Sequence, residues 1–338
     1  MDTHAPEWRA GSQENAALPL LQVIDLTTHF VMKDRLGKAV DGVSFAVSAG
    51  ETLGIVGESG SGKSIMALSL VRLPPRPFAH IVKGQILFKG KDLLQLSDRE
   101  MRGVRGRHIS MVLQDPMTAL NPVLRIGDQI GEAIRTHHDV SSHEVRRRVI
   151  EVLELLRVPA AAERLNSYPH EFSGGMRQRV VGAIALASQP DLLIADEPTT
   201  ALDVTVQDQY LRLLRRIQQD RGLAIIFITH DLAVVARMCD RVAVMYAGHF
   251  VETAPTSVLF DAPQHPYTRA LLRSSLPEDA AIDAPLYTIE GTPPSIFQQE
   301  RGCPFAARCP EVMARCREAM PPEVRVANDH LARCWLLQ

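Results

Sequence analysis

The chain has 338 residues, 46% of them hydrophobic and 22% charged, with a formal net charge of −2. This balance supplies a sizeable core for one large or two medium domains and excludes the basic surplus that general nucleic-acid or anionic-lipid binding requires. No run of about 18 apolar residues is present to cross a bilayer, and the polar stretch 1–17 lacks the apolar centre of a signal peptide, so residues 1–19 are expected to be a mobile tail on a cytoplasmic protein.

Taken in chain order, residues 21–30 and 42–47 read as strands separated by a polar turn at 34–37. Residues 51–56 form a short apolar strand that runs straight into glycines, and 63–73 read as a helix ended by Pro74-Pro75-Arg76-Pro77, because proline lacks the N–H to continue it. Residues 86–88 and 109–113 are further strands. From 126 to 158 the pattern is helical: Ser141 and Glu144 have capping-box spacing, and Val145, Val149, Val152 and Leu156 share one face, a core stripe. Basic clusters such as Arg146-Arg147-Arg148 read as a solvated helix face. Residues 180–187 are apolar throughout, as in a buried helix. Strand-like runs at 192–195, 224–229 and 241–246 then alternate with helical ones at 206–218 and 232–238, which indicates a largely parallel α/β sheet. Beyond Pro255 prolines recur, and a boundary is expected near residue 275.

Three motifs carry chemistry. Gly57-Glu58-Ser59-Gly60-Ser61-Gly62-Lys63-Ser64 lies between a strand and a helix, the context a phosphate-binding loop needs. Its glycines let successive N–H groups converge on one anion, Lys63 reaches the β- and γ-phosphates and Ser64 ligates Mg²⁺. Asp196 ends a hydrophobic strand, where a carboxylate can meet Mg²⁺, and Glu197 is placed to orient or deprotonate a water. Ahead of both lies Ser173-Gly174-Gly175-Met176-Arg177-Gln178-Arg179, a turn that opens an apolar helix.

In this order the motifs resemble those of the ATP-binding-cassette (ABC) ATPases. That family carries a phosphate loop, a glutamine loop, a signature, an acidic strand, an aspartate loop and a switch histidine; the matching positions are Lys63 in its loop, Gln114, Ser173 to Gln178, Asp196-Glu197, Asp203 and His230. Met176 and Phe172 depart from the commonest signature, but Ser173, Gly174 and Gly175, which carry the phosphate contacts in the family, are present. The resemblance implies a P-loop NTPase fold with a mainly parallel sheet core, an antiparallel β subdomain and a helical insertion. It also implies that Gln114 touches Mg²⁺ or the lytic water, that His230 contacts the γ-phosphate, and that an aromatic ending the first strand stacks on adenine. Phe30 is the candidate, with a plain core aromatic as the alternative. Two such domains sandwich two ATP molecules, each nucleotide held by the phosphate loop of one and the signature of the other. Residues 20–275 would be the nucleotide-binding domain, with a helical subdomain at about 116–182.

Further segments resemble the ATPase subunits of oligopeptide and dipeptide permeases, a branch that includes nickel and glutathione importers: Gln114 to Pro122, Tyr168-Pro169-His170-Glu171 and His265-Pro266-Tyr267-Thr268-Arg269. The resemblance implies a peripheral protein at the cytoplasmic face of the bacterial inner membrane, partnered by a second ATPase subunit, two transmembrane permease subunits and a substrate-binding protein, with no nucleic acid. Soluble cassettes of translation or DNA repair usually show paired cassettes, coiled coils or basic segments, and a binding-only cassette would lack Lys63, Asp196 or Glu197; neither pattern is present.

In the extension, 276–338, Cys303, Cys309, Cys316 and Cys334 are spaced more widely than the close pairs of most zinc sites. Four thiolates suit a [4Fe–4S] cluster, which some permease ATPases of this kind carry; zinc or uncoordinated thiols are the alternatives. Cys239 reads as a small buried hydrophobe.

Overall fold

The computed structural model describes residues 18–33, 35–113, 119–200, 202–274, 287–298 and 301–338. The expected tail through residue 17, Gln114 and the boundary near 275 lie outside the described residues.

Two sheets form the frame. The first is antiparallel, in the order β2-β1-β4-β5, from β1 (Leu21–Met32), β2 (Arg35–Val47), β4 (Ala79–Phe88) and β5 (Lys91–Asp92). The second contains β3 (Thr52–Val56), β6 (Ile109–Val112), β7 (Leu192–Asp196), β8 (Ala224–Ile228), β9 (Arg241–Tyr246), β10 (His249–Pro255), β11 (Val324–Ala327) and β12 (His330–Ala332), in the order β11-β12-β10-β9-β3-β8-β7-β6. From β9 to β6 all neighbours are parallel, whereas β10, β12 and β11 add on antiparallel.

The parallel strands are largely apolar because both faces are covered, with polar residues such as Thr52, Asp196 and Arg241 at their ends. In β8, Ala224, Ile226 and Ile228 face the antiparallel sheet and α1 (Lys63–Leu70), while Ile225 and Phe227 belong to the opposite core with the helices. β7 splits the same way, with Leu192 and Ile194 on one side and Leu193 and Ala195 on the other. The period of two thus feeds two separate cores from one sheet.

The remaining helices are α2 (Asp98–Val104), α3 (Ile126–His137), α4 (Ser142–Leu155), α5 (Ala161–Arg164), α6 (Gly174–Leu186), α7 (Val204–Arg221), α8 (Leu232–Met238), α9 (Thr256–Asp261), α10 (Pro266–Ser274) and α11 (Ala314–Glu318). The helical stretch expected over 126–158 is two helices, α3 and α4, with α4 capped by Ser141, whose hydroxyl accepts the Glu144 N–H. The reciprocal half of the capping box is not made: the Glu144 carboxylate is held by Arg147 and Arg148 instead. Val145, Val149, Val152 and Leu156 are buried as the stripe predicts. Cys239 is buried, its thiol pushed up by desolvation, and its Sγ occupies the space beside Gly54 that a Cβ there would need.

Two differences from the sequence reading have simple causes. The polar turn expected at 34–37 is mostly strand, since Arg35 already pairs with Met32. β4 starts at Ala79 rather than near 86, because its first half is only partly buried and carries no apolar run. The C-terminal strands were not anticipated: the short, exposed segment Val324–Ala327 forms the sheet edge, and Ala332 pairs with Glu252 of β10.

Candidate nucleotide site

The candidate residues converge at the carboxyl ends of parallel strands, where open α/β sheets bind ligands. The loop after β3 carries Lys63, β7 ends in Asp196, and β8 leads into Thr229 and His230.

The phosphate loop needs glycine at two positions for steric reasons. Gly57 has φ 154° and a Cβ there would run into Met245 O; Gly62 has φ 107° and its Cβ would strike Ala39 O. Ser59 and Gly60 are exposed at the loop tip, and Ser61 is buried with its carbonyl accepting the Gly248 N–H at 2.9 Å. α1 starts at Lys63, so its first N–H groups have no intrahelical acceptor and face outward at the positive end of the helix.

Lys63 is 6% exposed. Its ammonium donates to Gly57 O at 2.8 Å and Glu58 O at 3.0 Å, so it bridges the loop it belongs to. Burial lowers its pKa, and the charges of Glu197, Asp196 and Glu58 oppose that shift.

Asp196 is 3% exposed, and burial raises its pKa; the Ser64 hydroxyl hydrogen-bonds its carboxyl and the Glu197 charge pushes the same way as burial. Asp196 Oδ1 is buried and meets no hydrogen-bond donor. A buried anionic oxygen beside a serine hydroxyl is a hard-oxygen donor set that fits Mg²⁺. Those residues, Ser64 and Asp196, would hold it.

Glu197 takes a left-handed backbone (φ 47°), pinned by its N–H to Ile228 O at 2.9 Å. Its Oε1 lies 3.2 Å from His230 Nδ1, and its Oε2 accepts the Thr200 hydroxyl at 3.0 Å. Thr200 is a partner the sequence reading did not single out, although it stands three residues from Glu197. His230 is 60% exposed and Asp231, next to it, caps α8.

The signature and the aspartate are placed differently. Ser173 caps α6, its hydroxyl accepting the Met176 N–H at 3.4 Å, and Gly175 lies against α7, where a Cβ would come within 2.5 Å of Val206 Cγ1. Gly174 faces open space. Asp203 caps α7 through the Val206 N–H. Among the described residues no hydrogen bond joins Ser173, Gly174 or Gly175 to Lys63, Ser64 or Asp196. Phe30 sits half-buried on β1, opposite Gly37 on β2 and Ala79 on β4.

The four cysteines of the extension line one small pocket with His265, Phe305 and Trp335. All four are free, and burial raises the thiol pKa of Cys303, Cys309 and Cys334. Among the described residues no three His, Cys, Asp or Glu side chains stand close enough to hold a metal ion, so the ligand geometry expected for this tail is not formed.

A model of the ABC transporter family matches residues 40–200, and one of the oligopeptide/dipeptide transporter C-terminal region matches 251–316. The probable peptide ABC transporter ATP-binding protein y4tR of Sinorhizobium fredii is 52% identical over 94% of each chain. The chain belongs to the ABC transporter ATP-binding family. The dipeptide transport ATP-binding protein DppD of Bacillus subtilis is 51% identical over 94% of each chain. Among solved structures, the dimeric post-hydrolysis state of the ATP-binding cassette MJ0796 with ADP and Pi is 26% identical, covering 70% of this chain and 98% of its own at a TM-score of 0.63. This ABC subunit is therefore an ATP hydrolase of the transport class, with the ABC-ATPase fold.

Proposed function

We propose that this ABC ATPase drives uptake of oligopeptides or dipeptides across the bacterial inner membrane, working peripherally at its cytoplasmic face with a second ATPase subunit, two permease subunits and a substrate-binding protein. The support is the near-full-length likeness to peptide-transport ATP-binding proteins, reinforced by the peptide-transporter C-terminal region. Among the described residues no helix is long and apolar enough to cross a membrane, in keeping with a subunit that borrows its membrane span from partners.

In this reading the Lys63 ammonium leaves the loop carbonyls to bind the β- and γ-phosphates. Glu197 accepts a proton from the attacking water as the water oxygen bonds to the γ-phosphorus and the bond to the ADP oxygen breaks. Thr200 and His230 orient that carboxylate, and His230 also reaches the γ-phosphate. Ser64 and Asp196 would hold Mg²⁺, with Gln114 the further ligand that the family resemblance implies, and the ion would neutralise phosphate charge. Ser173, Gly174 and Gly175, away from their own phosphate loop, serve the nucleotide of the partner subunit, with Asp203 at the same seam; the dimeric likeness to MJ0796 supports this. Phe30 stacks on adenine.

For the extension, the proposal is that Cys303, Cys309, Cys316 and Cys334 close around a [4Fe–4S] cluster. Its support is four free thiols lining one sheltered pocket. Anaerobically purified protein then absorbs near about 400 nm and contains iron; colourless, iron-free protein rejects the cluster.

The test of the transport reading is co-purification with the permease subunits and ATPase assay with peptides, Ni²⁺ and glutathione. Stimulation by peptides alone is expected. Stimulation by Ni²⁺ or glutathione alone would reassign the substrate, and ATPase activity indifferent to all three in the complete complex would reject coupled import of this kind.

A further inference from the structure

Glu58, the second residue of the phosphate loop, is tied on both its backbone and its side chain to the C-terminal part of the chain. Its N–H donates to the Tyr267 hydroxyl at 2.9 Å, and its carboxylate Oε2 accepts from Arg308 Nη1 at 2.8 Å. Its carbonyl holds Lys63 Nζ at 3.0 Å and the Ser61 N–H at 3.2 Å. One residue therefore links the nucleotide lysine to two side chains some two hundred residues away.

Both anchors are rigid. The Arg308 side chain is 5% exposed, and its other N–H groups go to Glu290 O, Ile289 O and the Tyr246 hydroxyl. A guanidinium anchored by four hydrogen bonds has one orientation left, and it fixes the carboxylate it holds. Tyr267 is fully buried in an aromatic group with Tyr246 and Phe305, with ring centroids 4.6 to 5.3 Å apart. The backbone N–H of Tyr267 is in turn held by His265 Nδ1 at 3.0 Å. Arg308 adjoins Cys309, and Phe305 lies two residues after Cys303, so the wall of the cysteine pocket and the brace of the phosphate loop are the same short segment.

We infer that Arg308 and Tyr267 are positioning residues of the nucleotide site: Arg308 of the extension and Tyr267 of α10 together clamp Glu58 and thereby set the loop in the shape that receives phosphate. A phosphate loop works by holding several N–H dipoles at fixed angles before the anion arrives, so motion at Glu58 is subtracted directly from nucleotide affinity. The segment 265–269, conspicuous in the sequence but with no place in the six cassette motifs, acquires a role through Tyr267. This inference rests on the reading of 57–64 as the phosphate loop.

The experiment is equilibrium titration of the full-length chain with a fluorescent ATP analogue and Mg²⁺, alongside thermal unfolding. Arg308→Ala and Glu58→Ala are each expected to weaken binding by about tenfold, and the double variant by no more than the worse single one, because both remove one tie. Arg308→Lys should restore part of the affinity, since an ammonium can still pair with Glu58. Tyr267→Phe, which keeps the ring, should weaken binding with little change in Tm; with Glu58→Gln it decides the matter if Arg308→Ala does not fold. Wild-type affinity in the folded Arg308 or Tyr267 variants, or independent addition of the Arg308 and Glu58 effects, overturns the inference. Lys63→Ala separates the two readings: if it binds ATP normally the loop assignment itself fails, and if it alone loses binding only the clamp does.

Discussion

His230 Nδ1 stands 3.2 Å from Glu197 Oε1, while Thr200 holds the other oxygen of the same carboxylate at 3.0 Å. Glu197 leaves β7 with a left-handed backbone, so its side chain turns toward the loop after β8. Two donors on two oxygens fix the carboxylate plane. His230→Ala is expected to lower turnover about 10- to 100-fold with nearly unchanged ATP affinity, and Thr200→Val to lower it less. Steady-state kcat and KM for ATP check both; a change confined to KM would refute the orienting role.

Asp196 illustrates a site that is costly to its own fold. Burial and the neighbouring Glu197 raise its pKa, and one oxygen has no donor. A carboxyl whose folded pKa is raised costs stability once it ionises: the penalty is absent below its ordinary value of 3.8, builds as pH rises through the folded pKa, and is complete above it. Asp196→Asn is therefore expected to raise the Tm of the nucleotide-free chain at neutral pH while abolishing Mg²⁺-dependent hydrolysis. Paired thermal melts and ATPase assays test this; a lower Tm in the asparagine variant would contradict it.

Two loop glycines should behave differently. At Gly60 (φ 78°) an added Cβ meets nothing within 4 Å, whereas at Gly62 (φ 107°) it strikes Ala39 O. Gly60→Ala is expected to cost only the left-handed backbone penalty, about 1–2 kcal/mol. Gly62→Ala adds a backbone collision that has to move β2, so a loss of about 3 kcal/mol or more is expected, together with loss of nucleotide binding. Denaturant unfolding of the two variants gives the comparison, and equal losses would show that the close approach is unimportant.

Buried His265 is held neutral, its pKa pushed down to about 3 by burial with a smaller push from Arg269. Its Nδ1 accepts the Tyr267 N–H, which requires the proton on Nε2. Between its ordinary 6.5 and about 3 the unfolded chain binds a proton that the folded chain refuses. Its contribution is complete above 6.5 and is lost as pH falls, by roughly 2 kcal/mol at about pH 5. The Tm of His265→Gln should accordingly fall less steeply than wild type between about pH 6.5 and 4.5. Parallel slopes would show that another group governs the acid transition.

The sequence made the strand-borne site legible because its residues lie in short local patterns: glycines before a helix at 57–64, acids after an apolar strand at 196–197, a histidine after another at 230. The doubly buried parallel strands were equally plain, since they are short, nearly continuous apolar runs. What stayed hidden depends on distance along the chain. Nothing near Glu58 announces Arg308, and the four-residue segment Val324–Ala327 is too short and exposed to announce a strand, because its pairing with β12 supplies the reason for it. Glu144 had the right spacing for a capping box, yet two nearby arginines offered its carboxylate stronger partners than a backbone N–H.

In the proposed function Glu197 is the base that commits bound ATP to hydrolysis and so to transport work. The most direct measurement is uptake of a labelled dipeptide by vesicles holding the complete transporter, with ATP on the side of this subunit, in wild type and Glu197→Gln. Binding of ATP with closed, persistent ATPase dimers and uptake reduced by about 10²-fold or more is the predicted result. Undiminished hydrolysis and uptake in Glu197→Gln would contradict it.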